Sequence, residues 1–202
     1  TWSAGVYHHP LDLGADISVQ ATTKFISGAS DVLGGAVFVR DPALAERLQA
    51  CASDLGYAVS PDDAYLLLRG LRTLDQRLAA QEKAGLDVAR WLEGRPGVRR
   101  VLHPALPDHP QHELWRRDFT GSTSLFSIVL EPRPARAAHA LLDALTLFGK
   151  GFSYGGFESL AILCDPQLRR SAGGPPEGPL VRLYVGIEEP ADLIADLEPG
   201  LA

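Results

Sequence analysis

The sequence lacks several features that mark specialised classes of protein. It contains no methionine and only two cysteines, Cys51 and Cys164, which lie too far apart in the chain to suggest a disulfide framework or a metal-binding pair. This cysteine usage favours a reducing cytoplasm. No apolar run is long enough to span a bilayer. The net charge of −6 leaves no basic surplus to neutralise phosphates, which argues against nucleic acid as the main partner.

Lysine is also scarce, because only Lys24, Lys83 and Lys150 occur among 19 basic residues. There is no dinucleotide-binding, phosphate-loop or serine-hydrolase glycine motif. The histidines in residues 109–113 have the wrong order and spacing for a zinc-protease helix, so we expect no metal site. The chain opens on Thr1 with no secretory leader pattern, which predicts that part of the protein lies upstream.

What remains is the composition of a globular protein: 202 residues, 46% of them apolar and 22% charged. Hydrophobic periodicity predicts both strands and helices. The predicted strands cover residues 14–20, 36–39, 98–102, 124–130 and 180–187. The predicted helices cover residues 42–57, 61–92, 134–145 and 190–197. Residues 149–160 are rich in glycine and aromatic residues, and residues 171–179 read as a Gly/Pro loop.

Local signals refine these predictions. Asp41 and Ser60 are suited to cap helices that begin at a proline. The helix from residue 61 is predicted to run to residue 92 with a bend near Gly70, and residues 36–39 to form a buried strand. The order of elements predicts an α/β fold. Residues 1–60 would end a large domain with a mainly parallel sheet, and residues 61–202 would form a connecting helix and a smaller α+β domain.

Lys24 is the strongest single candidate for chemistry. It follows a predicted strand, beside the hydroxyl residues Thr22 and Thr23 and next to Phe25. A lysine in a partly apolar loop can act as a nucleophile or base, and neighbouring hydroxyl groups suit a phosphate. The alternative is a surface lysine in a turn. Lys83 is expected on a solvated helix face.

Two other features are weaker candidates. Arg182 interrupts an apolar strand, where it either faces solvent or enters a cleft to bind a carboxylate through paired hydrogen bonds. Residues 151–159 combine glycines with aromatic residues that could wall a pocket, or they form a buried irregular turn. Lys150, beside this loop, is a further and weaker candidate.

The motifs, taken in order, resemble those of the Cys/Met-metabolism pyridoxal-phosphate enzymes of fold type I. The resemblance covers the whole chain. Tyr154 stands where the γ-lyases and γ-synthases of that family usually carry leucine, which favours the β-lyase branch. The matching segments are residues 16–25, 28–31, 69–74, 117–122, 152–160 and 180–183.

The resemblance implies a role for each candidate residue. Lys24 would be joined to pyridoxal 5′-phosphate and would later move the Cα proton of the substrate, and Thr23 would donate to the cofactor phosphate. Arg182 would hold the α-carboxylate of an amino-acid thioether, with Ser153 beside it and Tyr154 lining the pocket. The implied reaction is α,β-elimination of L-cystathionine to homocysteine, pyruvate and ammonia, a step of methionine biosynthesis.

The resemblance also has departures and alternatives. Ala21 and Ala29 replace a serine and a histidine that are common in the family. The residues that contact the cofactor ring and most of its phosphate would lie in an upstream half, without which this chain should neither hold cofactor well nor catalyse. A cytoplasmic homotetramer is implied. The alternatives are a cysteine-S-conjugate β-lyase, a cystathionine or methionine γ-lyase, and a non-catalytic α/β binding module.

Overall fold

The computed structural model describes residues 1–169, 171, 174 and 176–201, and it contains two sheets flanked by helices. The predicted loop at 171–179 lies partly outside these residues. The strands are β1 (Ile17–Ala21), β2 (Gly35–Val39), β3 (Val98–Leu102), β4 (Leu125–Leu130), β5 (Gly149–Lys150), β6 (Leu160–Leu163) and β7 (Leu180–Tyr184). The helices are α1 (Pro42–Asp54), α2 (Pro61–Leu71), α3 (Leu74–Leu92), α4 (His112–Asp118), α5 (Ala135–Ala144) and α6 (Pro190–Leu201), with single 3-10 turns at Pro10–Leu13 and Asp165–Gln167.

The predicted caps of α1 and α2 are confirmed. The Asp41 carboxylate accepts a hydrogen bond from the backbone N–H of Ala43, and the Ser60 hydroxyl accepts one from Asp63. Each helix then begins at a proline, whose missing N–H has no partner to lose in a first turn.

The single helix predicted over residues 61–92 is wrong, because α2 and α3 are separate. α2 ends at Leu71 beside the backbone of residues 26–27, and a Cβ on Gly70 would lie 2.1 Å from the Ile26 carbonyl oxygen. The Gly70 carbonyl accepts from the backbone N–H of Thr73 and from the Arg77 guanidinium, in place of the next helical N–H. A tertiary contact therefore ends α2 one turn before α3.

The predicted burial of residues 36–39 is also wrong. β2 pairs antiparallel with β1 in a two-stranded sheet, and Val37 and Phe38 are 54% and 48% exposed. No other described strand pairs with β2, and the exposure of Val37 and Phe38 shows that no layer of the described chain covers these side chains. α1 likewise contains no buried residue.

The second sheet has five strands in the order β3-β4-β7-β6-β5, all antiparallel except the β5–β6 pair. Its main core contains Val88 of α3, Ile128 of β4, Leu193 of α6, and Val181 and Leu183 of β7. Because strand side chains alternate, Arg182 and Tyr184 point to the opposite face of β7. That face meets the segment that follows β1, where Phe25 and Tyr184 belong to one apolar cluster.

The remaining predicted elements agree with the structure in type, and their ends differ by a few residues. Helix α4 and strands β5 and β6 were not predicted. α4 begins at His112, two residues after Pro110. Within the described residues, no helix is both long and apolar enough to cross a membrane.

Candidate active site

Lys24 lies in a tight turn that directly follows β1. The N–H of Ser27 bonds the Thr22 carbonyl at 3.0 Å, and the N–H of Gly28 bonds the Lys24 carbonyl at 3.0 Å. Phe25, which is 1% exposed, anchors the turn in the core. The backbone is thus fixed, while the Lys24 side chain is half-buried rather than fully solvated.

The Lys24 amine contacts two other predicted site residues. Nζ donates to the Ser153 hydroxyl oxygen at 2.8 Å, across a sequence separation of 129 residues. Nζ also lies 5.0 Å from the ring centroid of Tyr154, within cation–π range. The structure therefore brings Lys24, Ser153 and Tyr154 together.

The loop that carries Ser153 packs directly on the Lys24 turn. Gly155 has a φ of +89°, which L side chains rarely adopt, and a Cβ there would lie 2.5 Å from the Phe25 nitrogen. Only a glycine allows this approach of two backbones. The loop is therefore both close-packed and part of the wall around the lysine.

Arg182 reaches the same loop from β7. Its Nη2 donates to the Phe152 carbonyl and, at 3.4 Å, to the carbonyls of Gly151 and Ser153. Within the described part of the chain these are the only hydrogen bonds of its side chain, so Nε and Nη1 are free to donate to a ligand. The side chain is half-buried and lies against the loop that carries Ser153.

Thr23 makes a different contact. Its hydroxyl donates to the Gly34 carbonyl at 3.2 Å and accepts from the Gly34 N–H at 2.9 Å. It therefore ties the Lys24 turn to the start of β2. A phosphate oxygen would have to compete with the Gly34 carbonyl for the single hydroxyl proton of Thr23.

The two other lysines have carboxylate partners. Lys83, 79% exposed as predicted, pairs with Asp87 at 3.0 Å, and the exposed Lys150 pairs with Asp143. Lys24 has no ion-pair partner among the described residues; its partner is a neutral hydroxyl group. Lys24 is thus the lysine whose amine has a neutral partner in place of a carboxylate.

Local burial affects the groups around this amine. Burial raises the pKa of the Tyr154 phenol, and the positive charge of Arg182 partly opposes that rise. Burial also raises the pKa of the Cys164 thiol, near Arg182. Both groups stay protonated and uncharged at neutral pH. In the described residues, no group of three or more His, Cys, Asp and Glu side chains is arranged to hold a metal ion.

Three residues next to the site were not predicted from the sequence: Arg77, Gln81 and Tyr184. A signal for Gln81 was present. It occupies a position of the buried stripe of α3, between Leu78 and Gly85, where an apolar residue is expected. A polar residue there must find a buried partner, but its spacing alone does not identify that partner.

Comparison with known proteins gives consistent matches over the whole chain. The sequence model of a family described as "Cys/Met metabolism PLP-dependent enzyme" matches residues 1–202. The cystathionine beta-lyase of Bordetella avium is 48% identical over 205 residues, covering 100% of this chain and 51% of that protein. The cystathionine beta-lyase of Escherichia coli (strain K12) is 44% identical over 207 residues, covering 100% of this chain and 52% of that protein.

A solved structure also matches the whole chain. The cystathionine gamma synthase of Xanthomonas oryzae pv. oryzae, in complex with aminoacrylate and cysteine, superposes with a TM-score of 0.92 at 41% identity. The match covers 100% of this chain and 53% of that one. The predicted α/β fold class is therefore confirmed. The chain spans about half the length of the relatives it matches.

Proposed function

Because the chain belongs to the Cys/Met metabolism family of PLP-dependent enzymes, we propose that it forms part of a carbon–sulfur lyase. The proposed reaction is the α,β-elimination of L-cystathionine with water to homocysteine, pyruvate and ammonia. The observation that carries the proposal is the contact of the Lys24 amine with Ser153 beneath Tyr154. The same loop receives Arg182, the group proposed to bind the substrate carboxylate.

The residues present fit pyridoxal 5′-phosphate. Lys24 offers a primary amine with a neutral partner in place of a carboxylate, which suits a covalent bond to an aldehyde. Thr23 lies one residue away, and its hydroxyl proton would turn from the Gly34 carbonyl to the phosphate. When bound, this cofactor supplies an electron sink for negative charge that develops at Cα.

The chain's own groups then bind the substrate and move its proton. The free Nζ of Lys24 accepts the proton from the substrate Cα, and Ser153 Oγ, 2.8 Å away, orients that amine. Arg182 directs Nε and Nη1 at the α-carboxylate, because a planar guanidinium can form two parallel bonds to a carboxylate. Tyr154 borders the pocket with an uncharged phenol.

The choice of β-elimination rests on Tyr154. A cysteine-S-conjugate β-lyase or a cystathionine or methionine γ-lyase would use the same lysine and arginine, and the matched relatives include a gamma synthase. Product analysis with L-cystathionine separates β-elimination from γ-elimination. Pyruvate without 2-oxobutyrate supports β-elimination, whereas 2-oxobutyrate indicates γ-elimination.

The wider organisation belongs to the same proposal. Residues 1–60 would complete a large cofactor domain, and residues 61–202 would form a connecting helix and a small α+β domain. The rest of the relatives' length would supply the remaining cofactor contacts. The assembled enzyme would be a cytoplasmic homotetramer.

The test uses the complete enzyme with L-cystathionine and its Lys24→Ala variant, with Lys83→Ala as the matched control. Loss of the proton-transferring amine should lower kcat by about 10²–10⁴-fold. Borohydride reduction and peptide mass spectrometry should place the cofactor on Lys24. A protein that takes up no cofactor would contradict the enzyme proposal in favour of a binding module. An equal loss of kcat in Lys83→Ala would contradict the specific role of Lys24.

A further inference from the structure

Helix α3 presents a buried amide to the loop that carries Ser153. Gln81 is 0% exposed, and its Nε2 donates to the Gly156 carbonyl at 3.0 Å and to the Tyr184 hydroxyl at 2.8 Å. The Tyr184 hydroxyl in turn donates to the Gly156 carbonyl at 2.6 Å. One carbonyl, three residues from Ser153, thus receives two buried donors.

One turn earlier, the same helix holds the Lys24 turn. The Arg77 guanidinium donates at 2.8 Å to the carbonyls of Phe25 and Gly70. It fits against Gly28, where a Cβ would lie 2.2 Å from Nη1. Because residues four apart in a helix share a face, Arg77 and Gln81 bind the two halves of the site from one surface.

Apolar packing does not explain these polar groups. The Tyr184 ring packs with Phe25 and Leu78 in one apolar cluster, and these neighbours make no use of its hydroxyl group. Burying an amide or a hydroxyl group stabilises the fold little unless the group is hydrogen-bonded. The Gln81 amide and the Tyr184 hydroxyl both donate to the Gly156 carbonyl, so their specific effect is to fix the loop.

We propose that Arg77 and Gln81, with Tyr184 as the partner of Gln81, are positioning residues. They hold the Lys24 amine and the Ser153 loop in fixed positions relative to each other. This inference rests on the proposed function for its kinetic consequence. Its geometric consequence, the placement of Ser153 on the lysine amine, holds whatever the substrate.

The kinetic test compares Gln81→Leu, Tyr184→Phe and their double variant in the complete holoenzyme. Gln76→Leu, at an exposed position of the same helix, is the matched control. Displacement of the loop by about 1 Å should lower kcat/KM by about 10- to 100-fold at unchanged cofactor content. Since the two groups bond each other and one carbonyl, the losses of the single variants should not be additive in the double variant.

A second readout needs no catalysis. In the cofactor-free complete protein, limited acylation and mass spectrometry give the labelling rate of Lys24 relative to the exposed Lys83. The ratio should rise several-fold in Gln81→Leu, Tyr184→Phe and Arg77→Met, because the amine loses its Ser153 partner. It should stay unchanged in Gln76→Leu.

Several results would overturn the inference. An unchanged labelling ratio would do so, as would additive kinetic losses in the double variant. A parallel rise in the labelling of Lys24, Lys83 and Lys150 would indicate general loosening instead of positioning. If the unaltered enzyme eliminates no substrate, the proposed function fails, and the labelling ratio alone then decides the inference.

Discussion

Residues 1–71 and residues 74–201 bury their apolar side chains to very different extents. Among the described residues, thirteen exposed large apolar side chains lie before residue 72 and five lie after residue 113. The larger core cluster lies entirely within residues 84–201. In the first region a cavity of about 390 Å³ opens beside Gln20 and Phe38. The second region therefore has a core of its own, and the first does not.

This difference in burial shows which contacts hold the Lys24 turn in place. The buried residues of the first region include Phe25 and Ile26, which lie in the Lys24 turn and pack on Leu78 and Tyr184 of the second. The Lys24 turn is thus held by the junction between the regions. A change in the second core should alter global stability, and a change at the junction should alter the site.

The largest effect is expected from Leu183→Ala. Leu183 lies in the central strand β7 and is 0% exposed in the main core, so its truncation removes buried contacts and leaves a cavity. The loss in unfolding free energy should be about 3–4 kcal/mol, measured by denaturant unfolding of the complete protein.

Leu33→Ala is the matched control in the first region. Leu33 is 87% exposed, and the same substitution there should change the unfolding free energy by less than about 0.5 kcal/mol. Equal losses at the two positions would show that the regions do not differ in the way their burial indicates.

A pH-dependent effect should come from His103, a buried residue of the second region. Burial lowers its pKa to about 4, and the ring contacts Phe126. The unfolded chain binds a proton near pH 6.5, whereas the folded chain does so only near pH 4. The neutral His103 therefore costs the fold nothing above pH 6.5. As the pH drops towards 4, the free energy of unfolding falls by about 3 kcal/mol in total.

His103→Gln should flatten this dependence between pH 6.5 and 4, as measured by unfolding midpoints across that range. His139→Gln is the control, because His139 is exposed on α5. A slope in His103→Gln as steep as that of the unaltered protein would show that other groups cause the acid sensitivity.

The sequence predicted the structural features that depend on residues close together in the chain. The caps at Asp41 and Ser60 and most of the strands follow from local signals, and Lys24 stood out because lysine is rare in this chain. The burial of β2 was wrong because burial depends on which layer covers a strand. The break after Gly70 depends on the Ile26 carbonyl, 44 positions away in the sequence.

The candidate site shows the same limit. Lys24, Arg182 and the loop at residues 151–159 were candidates from local sequence patterns, whereas the role of each site residue came from the family resemblance. The roles that stay predictions are those of Lys24, Thr23, Ser153, Tyr154 and Arg182. The contact of Lys24 with Ser153 joins residues 129 positions apart, so no periodicity could indicate it. Gln81 was visible only as a polar residue in an apolar stripe, because its partners lie in another strand and loop.

The smallest of these effects tests the junction itself. Gly155→Ala places a Cβ at a φ of +89° and within 2.5 Å of the Phe25 nitrogen, so backbone strain and overlap should together cost about 2 kcal/mol. Gly94→Ala, at a φ of +72° with nothing within 4 Å, carries the strain alone, about 1 kcal/mol. Because the Ser153 loop must move to admit the methyl group, Gly155→Ala should also lower kcat/KM, and Gly94→Ala should not. Equal stability losses and unchanged kinetics in both variants would mean that the loop and the Lys24 turn move independently, and that the junction does not hold the site.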